Sequence, residues 1–339
     1  MKERNRSIDI FRYICAILVV AIHTSPFDDV EPRIGYVVAQ ILPRIAVPFF
    51  FLVAGYYYIK ALEDHKNAFL PYLVRFLKTY ALWSAVYFAI DFICKGHRDI
   101  PNFLVRCVFS FLTTGSYYHF WFFPALIFSV CLVTIFYRAR LQKLILPASF
   151  ILYVIGCLGC SYHSIGMGIP VLSTLFSSPY FIHIRRVALM AFPFFTAGLL
   201  IIKIQRYIKE HHVPKSVITL ALPTAVVCWL LEIAIVIHFQ LQKNIVITLG
   251  LYPLTVAVIV FLLHHPMPQA QQISEKCHII ADFTYYSHPL IITLLTFAVK
   301  QLGYPAIPST LMFLLTVALT WTIGILFYYP HKRRTDLSS

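Results

Sequence analysis

Long apolar runs recur along the whole of this 339-residue chain and limit what it can fold into. Each run is about 20 residues long, the length that an α-helix needs to cross the hydrocarbon core of a bilayer. Hydrophobic residues make up 59% of the chain and charged residues only 12%, whereas about a quarter of a typical soluble domain is charged. The sequence therefore predicts an all-α polytopic membrane protein, because helices pair their own backbone groups in lipid.

The apolar runs predict about ten transmembrane helices and one shorter segment. The predicted spans are residues 8–26, 36–59, 70–94, 119–137, 144–161, 187–204, 216–238, 245–263, 280–299 and 308–329. The segment 103–114 is too short to cross and contains Arg106, so it predicts an interfacial or re-entrant helix. The stretch 162–185 is rich in Gly, Pro and Ser and predicts a loop. We expect one transmembrane domain over residues 1–339, with no soluble extra domain and no cleavable signal peptide.

Basic residues predict how the chain is oriented. The formal net charge of +14 comes from Lys and Arg that cluster in the loops beside the spans. If the basic N-terminus lies in the cytoplasm and ten spans follow, the Lys and Arg residues fall mostly on cytoplasmic segments, and both termini are cytoplasmic. The basic charge is therefore assigned to topology and anionic lipid headgroups. We expect a multi-pass protein of the cytoplasmic membrane that does not bind nucleic acid.

Two titratable residues interrupt the first apolar run, and their spacing is informative. Arg12 and His23 are eleven residues apart, so a helix returns to within about 20° of the same direction and places them about 16 Å apart on one face. Asp9 precedes Arg12 by three residues, within reach of an ion pair. Such a stripe must face protein or a polar cavity. The alternative is two unrelated residues, with Arg12 reaching to the interface and His23 capping the helix end.

Five motifs, in order along the chain, resemble those of the membrane-bound acyltransferase-3 superfamily. They are the R-x10-H of the first span, "RIAVPFFFLVAGYYY" at 44–58, "HFWFFPALI" at 119–127, "RRVALMAFPFFTAGLLI" at 185–201 and "FTYYSHPLII" at 283–292. Each motif is weak by itself, since aromatic-rich spans match easily. Five in order over nearly the whole chain form a specific pattern.

The resemblance implies a ten-helix domain that moves acyl groups from a cytoplasmic donor, typically acyl-CoA, to an acceptor at the outer face. It implies that Arg12 and His23 are the essential pair. Further motif positions, to which we assign substrate binding, are Arg44, His119, Trp121, Arg185, Arg186 and His288. The usual Arg-Asn-Gly of the fourth motif is replaced here, so the choice between Arg185 and Arg186 stays open.

Acyl transfer from a thioester requires a base, charge stabilisation and alignment of two substrates. We expect His23 to accept the acceptor's proton or to carry the acyl group, with Arg12 and Asp9 beside it in the catalytic site. Acetyl-CoA is the expected donor, with no permanently bound cofactor. Its phosphates would meet cations near the cytoplasmic side, for which the candidates are Arg12, Arg75 and Lys78. The alternative for Arg75 and Lys78 is topological anchoring.

Two charged residues lie deep in predicted spans. Arg44 needs an anionic partner, which could be a ligand group or a carboxylate such as Asp9 or Glu232. Glu232, near the middle of its span, is a candidate for pairing with Arg44, proton relay or binding an acceptor amine. Cys157 and Cys160 form a C-x-x-C without a second pair, so no metal site is predicted.

Two classes of function fit these features. The first is an acyltransferase that modifies an envelope glycan, lipid or small molecule, either directly or through a separate extracytoplasmic transferase. The second is a transporter of a serine-type amino acid. The motifs "AVPFFFLVAGYYY", "YALWSAVY" and "HFWFFPALI" are also similar to the membrane domain of the serine racemases associated with vancomycin resistance. A polar stripe in a membrane serves either function.

Overall fold

The computed structural model describes residues 5–64, 67–95, 99–267 and 269–336, and every regular element in them is helical. The remaining residues, which include parts of the predicted tails and loops, lie outside the described chain. The α-helices in chain order are α1 Arg6–Thr24, α2 Pro32–Tyr36, α3 Ala46–Asp64, α4 Phe69–Lys95, α5 Ile100–Leu112, α6 Phe122–Arg138, α7 Gln142–Leu158, α8 His163–Met167, α9 Pro170–Ser177, α10 Phe181–Ile184, α11 Phe192–Glu210, α12 Lys215–His238, α13 Leu251–His264, α14 Gln271–Gln301 and α15 Ser309–Asp336.

Each predicted span coincides with a helix, which confirms the all-α class. Six helical segments in the described chain are long and apolar enough to cross a membrane: Arg6–Thr24, Pro32–Asp64, Phe69–Cys94, Phe181–Glu210, Lys215–His238 and Ser309–Leu326. The helices α6, α7 and α13 are apolar but shorter, and α14 carries polar residues in its first turns. The count of ten spans and the orientation of the termini stay predictions.

The short segment near 103–114 is helical, as α5, and none of its residues is buried. The loop predicted for 162–185 is wrong in part, because α8, α9 and α10 lie within it. Pro170 begins α9, where its missing N–H costs nothing. Phe176, Phe181 and Leu189 form a buried cluster there, so packing of aromatic side chains overrides the loop composition.

The chain divides into two compact units, residues 1–50 with 258–339 and residues 51–257. In the first unit, α1, α14 and α15 pack against one another. The helices α1 and α14 run parallel, since Asp9 meets Ser274 near their starts and His23 meets His288 further along. The helix α15 runs antiparallel to α1, with Thr310 beside Phe27. If ten spans alternate in direction, the first and ninth run parallel and the tenth runs antiparallel to both. The helices α1, α14 and α15, which correspond to these spans, have these directions.

Local signals fix both ends of α1. Asn5 is its N-cap, and the Asn5 side chain accepts a hydrogen bond from the backbone N–H of Ile8 at 3.1 Å. At the other end Ser25 adopts the left-handed conformation, with φ 47°, and its N–H bonds Ala21 O. These caps satisfy backbone groups that a helix end leaves unpaired. They therefore hold Arg12 and His23 in a single uninterrupted helix.

In the second unit, two glycines let α3 and α11 approach at backbone distance. A Cβ on Gly55 would lie 1.8 Å from Phe195 O, and one on Gly198 would lie 2.3 Å from Tyr56 N. Close approach through small residues is the usual way in which helices associate in membranes. The glycines of the motifs at 44–58 and 185–201 are therefore packing residues that face each other.

Candidate functional site

Arg12 lies in the second turn of α1 and contacts two side chains of α14. Its Nη2 donates to Asp282 Oδ1 at 2.7 Å, and its Nη1 lies 2.9 Å from His278 Nδ1. The Arg12 side chain is 22% exposed and that of Asp282 is 37% exposed. The anion that Arg12 contacts at 2.7 Å is therefore Asp282, a residue that we did not single out from the sequence.

Asp9 joins the same cluster one turn earlier. Asp9 is only 5% exposed; it accepts a hydrogen bond from Ser274 Oγ at 3.1 Å, and its Oδ1 lies 3.2 Å from His278 Nδ1. A guanidinium only donates and a carboxylate only accepts. His278 Nδ1 therefore accepts from Arg12 when it carries no proton and donates to Asp9 when it does, so a proton on this atom selects its partner.

His23 lies further along the same face of α1 and stacks on His288 of α14. The ring centroids are 5.3 Å apart, with 24° between the ring planes. His288 is completely buried, and its Nδ1 lies 3.0 Å from both Thr284 O and Tyr285 O. Since carbonyl oxygens only accept, Nδ1 carries the proton and Nε2 is the basic atom of the neutral ring. Arg12 and His23 thus share the face of α1 that packs on α14.

Of the two side chains that contact Arg12, His278 was missed because α14 begins earlier than predicted, whereas Asp282 lies just inside the predicted span 280–299 and was not singled out. The predicted span starts at residue 280, whereas the helix starts at Gln271. Ser274, His278 and Asp282 are spaced by four residues and so lie on one face. Extending the helical period back from the apolar run would have found this stripe.

Arg44 lies in irregular helix rather than inside a regular span. A π-helical segment covers Val37–Ile41 and a 3-10 segment covers Leu42–Ile45. Arg44 Nε donates to Gln40 O at 2.6 Å, and its Nη2 donates to the Gln40 side-chain oxygen. These contacts are to neutral oxygens, so neither of the two carboxylates considered as alternatives to a ligand group, Asp9 and Glu232, is among them. Irregular turns of this kind are frequent at functional sites.

Within the second unit, two of the motif residues contact each other. Arg186 lies over the ring of Trp121, with its guanidinium carbon 5.3 Å from the ring centroid, which is within cation–π range. Arg185 instead points to Cys160 Sγ at 4.0 Å. Both arginines belong to the π-helical segment Arg185–Ala191. Of the two, Arg186 is therefore the one that contacts another predicted site residue.

His119 precedes α6 rather than beginning a span and is 3% exposed. Its ring lies 3.9 Å from that of Phe120 and 5.4 Å from that of Tyr87, centroid to centroid. Aromatic rings thus surround it, and its predicted role in substrate binding stays a prediction.

Glu232 has a structural explanation. Its carboxylate accepts hydrogen bonds from the backbone N–H groups of Leu249 and Gly250, both at 2.6 Å, and from the Tyr162 hydroxyl at 2.8 Å. The two amides immediately precede α13, so the carboxylate lies where the helix dipole favours negative charge. This arrangement delays the start of α13 to Leu251, six residues after the predicted 245. A ligand role for Glu232 stays a prediction.

Arg75 and Lys78 lie three residues apart on α4, and both are exposed. Their assignment to donor phosphates therefore stays a prediction. Cys157 and Cys160 are buried thiols without a disulfide. Within the described ranges of the chain, no group of three or more His, Cys, Asp or Glu side chains could hold a metal ion.

Comparison with known proteins identifies a family. The family model described as "Acyltransferase domain", acyltransferase-3, matches residues 5–329, a range that contains the α1–α14 cluster and all five motifs. No solved structure matches the chain significantly.

Curated relatives carry racemase names. An Enterococcus faecalis protein named amino-acid racemase is 32% identical over 182 residues, which cover 52% of this chain and 26% of the relative. An Enterococcus gallinarum protein named serine/alanine racemase is 31% identical over 176 residues, which cover 50% of this chain and 25% of the relative. The matches thus span about a quarter of the length of these relatives.

Proposed function

The chain belongs to the acyltransferase-3 family, and from this premise we propose that it is an integral acyltransferase of the cell membrane. In this proposal it moves an acyl group, in the simplest case acetyl, from cytoplasmic acyl-CoA to an acceptor at the outer face. The acceptor is a hydroxyl or amine of an envelope glycan, lipid or small molecule. Acyl-CoA is a substrate, and no permanently bound cofactor is needed.

One observation carries the proposal. Arg12 and His23 face the same neighbouring helix, α14, and each meets titratable side chains there. Arg12 contacts Asp282 and His278, and His23 stacks on His288. Ionisable groups inside a membrane are costly, and they usually belong to functional sites. Their position on a shared helix face supports one polar site rather than an interfacial arginine and an unrelated cap.

His23 offers two chemical routes. As a general base, it takes the acceptor's proton while the acceptor oxygen or nitrogen attacks the thioester carbon; the C–S bond breaks and the imidazolium returns the proton to the CoA thiolate. As a carrier, an imidazole nitrogen attacks the thioester, the C–S bond breaks, and CoA leaves as its thiol with the proton of the other ring nitrogen. The acyl-imidazole then passes the acyl group to the acceptor, whose proton returns to the ring. Both routes need positive charge near the developing oxyanion.

The remaining residues are assigned by what they contact. Arg12 already meets a carboxylate, so we assign it to charge stabilisation within the cluster, which weakens its predicted role at the donor phosphates. Arg75 and Lys78 remain the candidates for those phosphates. We assign the acceptor side to His288, and substrate binding by Arg44, His119, Trp121 and Arg186 stays a separate prediction.

The test is transfer from radiolabelled acetyl-CoA by the purified full-length protein, followed as hydrolysis or as transfer to added acceptors. We expect activity in the wild-type protein and a loss of about 10²–10⁴-fold in His23→Ala. His264→Ala is the matched control, since His264 lies in the last turn of the apolar helix α13 as His23 lies in the last turn of α1. A folded His23→Ala protein with full activity would overturn the assignment.

A second candidate function is transport of a serine-type amino acid. The observation that favours it is the match of about half of this chain to proteins named amino-acid racemase and serine/alanine racemase. Proteoliposomes that accumulate labelled serine, from a protein that neither hydrolyses nor transfers from acetyl-CoA, would favour transport. Transfer activity without serine uptake would exclude it.

A further inference from the structure

Two side chains that contact the Arg12 guanidinium have no part in the chemistry described so far. They are Asp282 and His278, which lie outside the motif at 283–292 and one turn apart on α14. We propose that they are positioning residues for Arg12, with Asp282 the dominant one. This inference rests on the proposed acyl transfer, in which Arg12 supplies the charge near the oxyanion.

The contact geometry constrains the guanidinium at two points. Asp282 Oδ1 holds Nη2 at 2.7 Å and His278 Nδ1 holds Nη1 at 2.9 Å. A planar guanidinium held by both terminal nitrogens cannot turn about its own axis, whereas a single contact leaves that rotation free. The partners come from successive turns of one helix, so the plane of the guanidinium is fixed relative to α14.

Charge explains why Asp282 dominates. Arg12 is in the second turn of α1, close enough to the helix start for its long side chain to extend toward the interface. The Asp282 carboxylate is the charged partner that keeps it between the helices, and a charge-assisted bond of this length is about twice as strong as a neutral one. His278 adds a directional contact without a fixed charge.

The same helix also orients His23. His288, on which His23 stacks, is ten residues after His278, or about 15 Å along α14. Arg12 and His23 are separated by about 16 Å on α1. Because the two helices run parallel, the spacing of His278 and His288 along α14 matches the spacing of Arg12 and His23 along α1. Loss of the Asp282 contact would therefore displace Arg12 while leaving His23 in place.

The first experiment measures kcat and KM for acetyl-CoA in full-length wild-type, Asp282→Asn and Asp282→Glu proteins. Asp282→Asn keeps the shape and an acceptor oxygen but removes the charge. We expect its kcat to fall about 10–100-fold with KM changed by less than about threefold, because misplacement of a catalytic group by about 1 Å costs rate on this scale. Asp282→Glu restores the charge and should recover a substantial part of kcat.

The control is Asp29→Asn, in the same unit, where Asp29 accepts hydrogen bonds from Ser309 and Thr310. It removes a comparable bonded carboxylate beyond the other end of α1 and should leave kcat and KM at wild-type values. A kcat for Asp282→Asn equal to that of Asp29→Asn overturns the inference.

A charge exchange separates positioning from structural support. Arg12→Asp combined with Asp282→Arg keeps an ion pair between α1 and α14 but moves the guanidinium to α14. We expect the double variant to recover the thermal stability lost by either single variant while its kcat stays low. Recovery of kcat together with stability shows that the pair is structural only and overturns the inference. If the wild-type protein neither transfers nor hydrolyses, the proposed function fails and the inference falls with it.

Discussion

Two groups of carboxylates within described helices, one group in each unit, have different surroundings. On α1 and α14, Asp9 and Asp282 meet an arginine, a histidine and a serine. On α12, Glu232 meets two backbone amides and a tyrosine hydroxyl. The first group has partners that exchange protons or bind other anions. In the second group, two partners are backbone amides that immediately precede α13, and the third is the Tyr162 hydroxyl, which donates to the same carboxylate.

The difference shows that an acid within a span does not by itself mark a site. The family motifs include Arg12 and His23 but not Glu232, and the structure supplies a local reason for Glu232 in the start of α13. A carboxylate whose oxygens already accept three hydrogen bonds is costly to recruit for a ligand. The chemistry of the partners, rather than depth in the membrane, separates the candidate site from Glu232, which caps the start of α13.

The largest expected effect tests the α1–α14 side of the comparison. Arg12→Ala removes the fixed positive charge beside Asp282 and should lower kcat with acetyl-CoA by about 10²–10³-fold. Arg12→Lys keeps the charge but loses the planar fork, so its kcat should fall between the two. Steady-state kinetics on the purified proteins measure this. An Arg12→Ala protein with a kcat within about threefold of the wild-type value would show that the α1–α14 cluster is not the catalytic site.

The next effect tests the cap. Glu232→Ala leaves the amides of Leu249 and Gly250 and the Tyr162 hydroxyl without their acceptor, and should reduce the free energy of unfolding by about 2–4 kcal/mol. Thermal or denaturant unfolding in detergent measures the change, and kcat per folded molecule is measured alongside. Lost stability with retained kcat supports the cap; a lost kcat at unchanged stability would return Glu232 to the substrate site.

A smaller effect tests the same contact of Glu232 without replacing Glu232 itself. A Cβ on Gly250 would lie 2.8 Å from Glu232 Oε2, so Gly250→Ala should push the carboxylate from the amides and cost about 1–2 kcal/mol of unfolding free energy. Gly168→Ala is the matched control, since the nearest atom to its Cβ is Ile165 O at 3.2 Å. Equal melting temperatures for the two variants would argue against a tightly fitted cap.

The smallest effect concerns a carboxylate outside the spans. Hydrogen bonds, first from the Thr310 side chain and then from Ser309 and the Thr310 backbone, lower the pKa of Asp29. Its contribution to stability is therefore present above the ordinary aspartate pKa of about 3.9 and is lost as pH falls through the lower folded value. Asp29→Asn should reduce the fall in melting temperature between about pH 5 and pH 3. An unchanged pH profile would show that this contact is too exposed to matter.

Much of the fold followed from hydropathy. Every predicted span overlies a helix, because an apolar run of about 20 residues has few other ways to pair its backbone. The ends were harder to predict. Residues 245–250 belong to an apolar run, but Leu249 and Gly250 donate their backbone N–H groups to Glu232, and the helix begins only at Leu251. The composition of 162–185 suggested a loop, but Phe176 and Phe181 pack in a buried cluster and the segment contains short helices.

The part of the candidate site that a single helix determines was predictable from the sequence. The spacing of Arg12 and His23 placed them on one face, and both do face α14. Their partners were predictable only in part, since the period of Ser274, His278 and Asp282 indicates a polar stripe but not the helix that it meets. The π and 3-10 turns around Arg44 are indicated by no simple periodicity.

The sequence alone determined that this chain is helical, suited to a membrane and equipped with an arginine and a histidine on one face, because helix period and transfer cost are local properties. The tertiary structure decided which carboxylate pairs with that arginine, which histidine stacks on the other, and which acid is used as a cap. Those outcomes depend on which helices pack together and in which direction, and a side chain's chemistry follows from neighbours that lie hundreds of residues away.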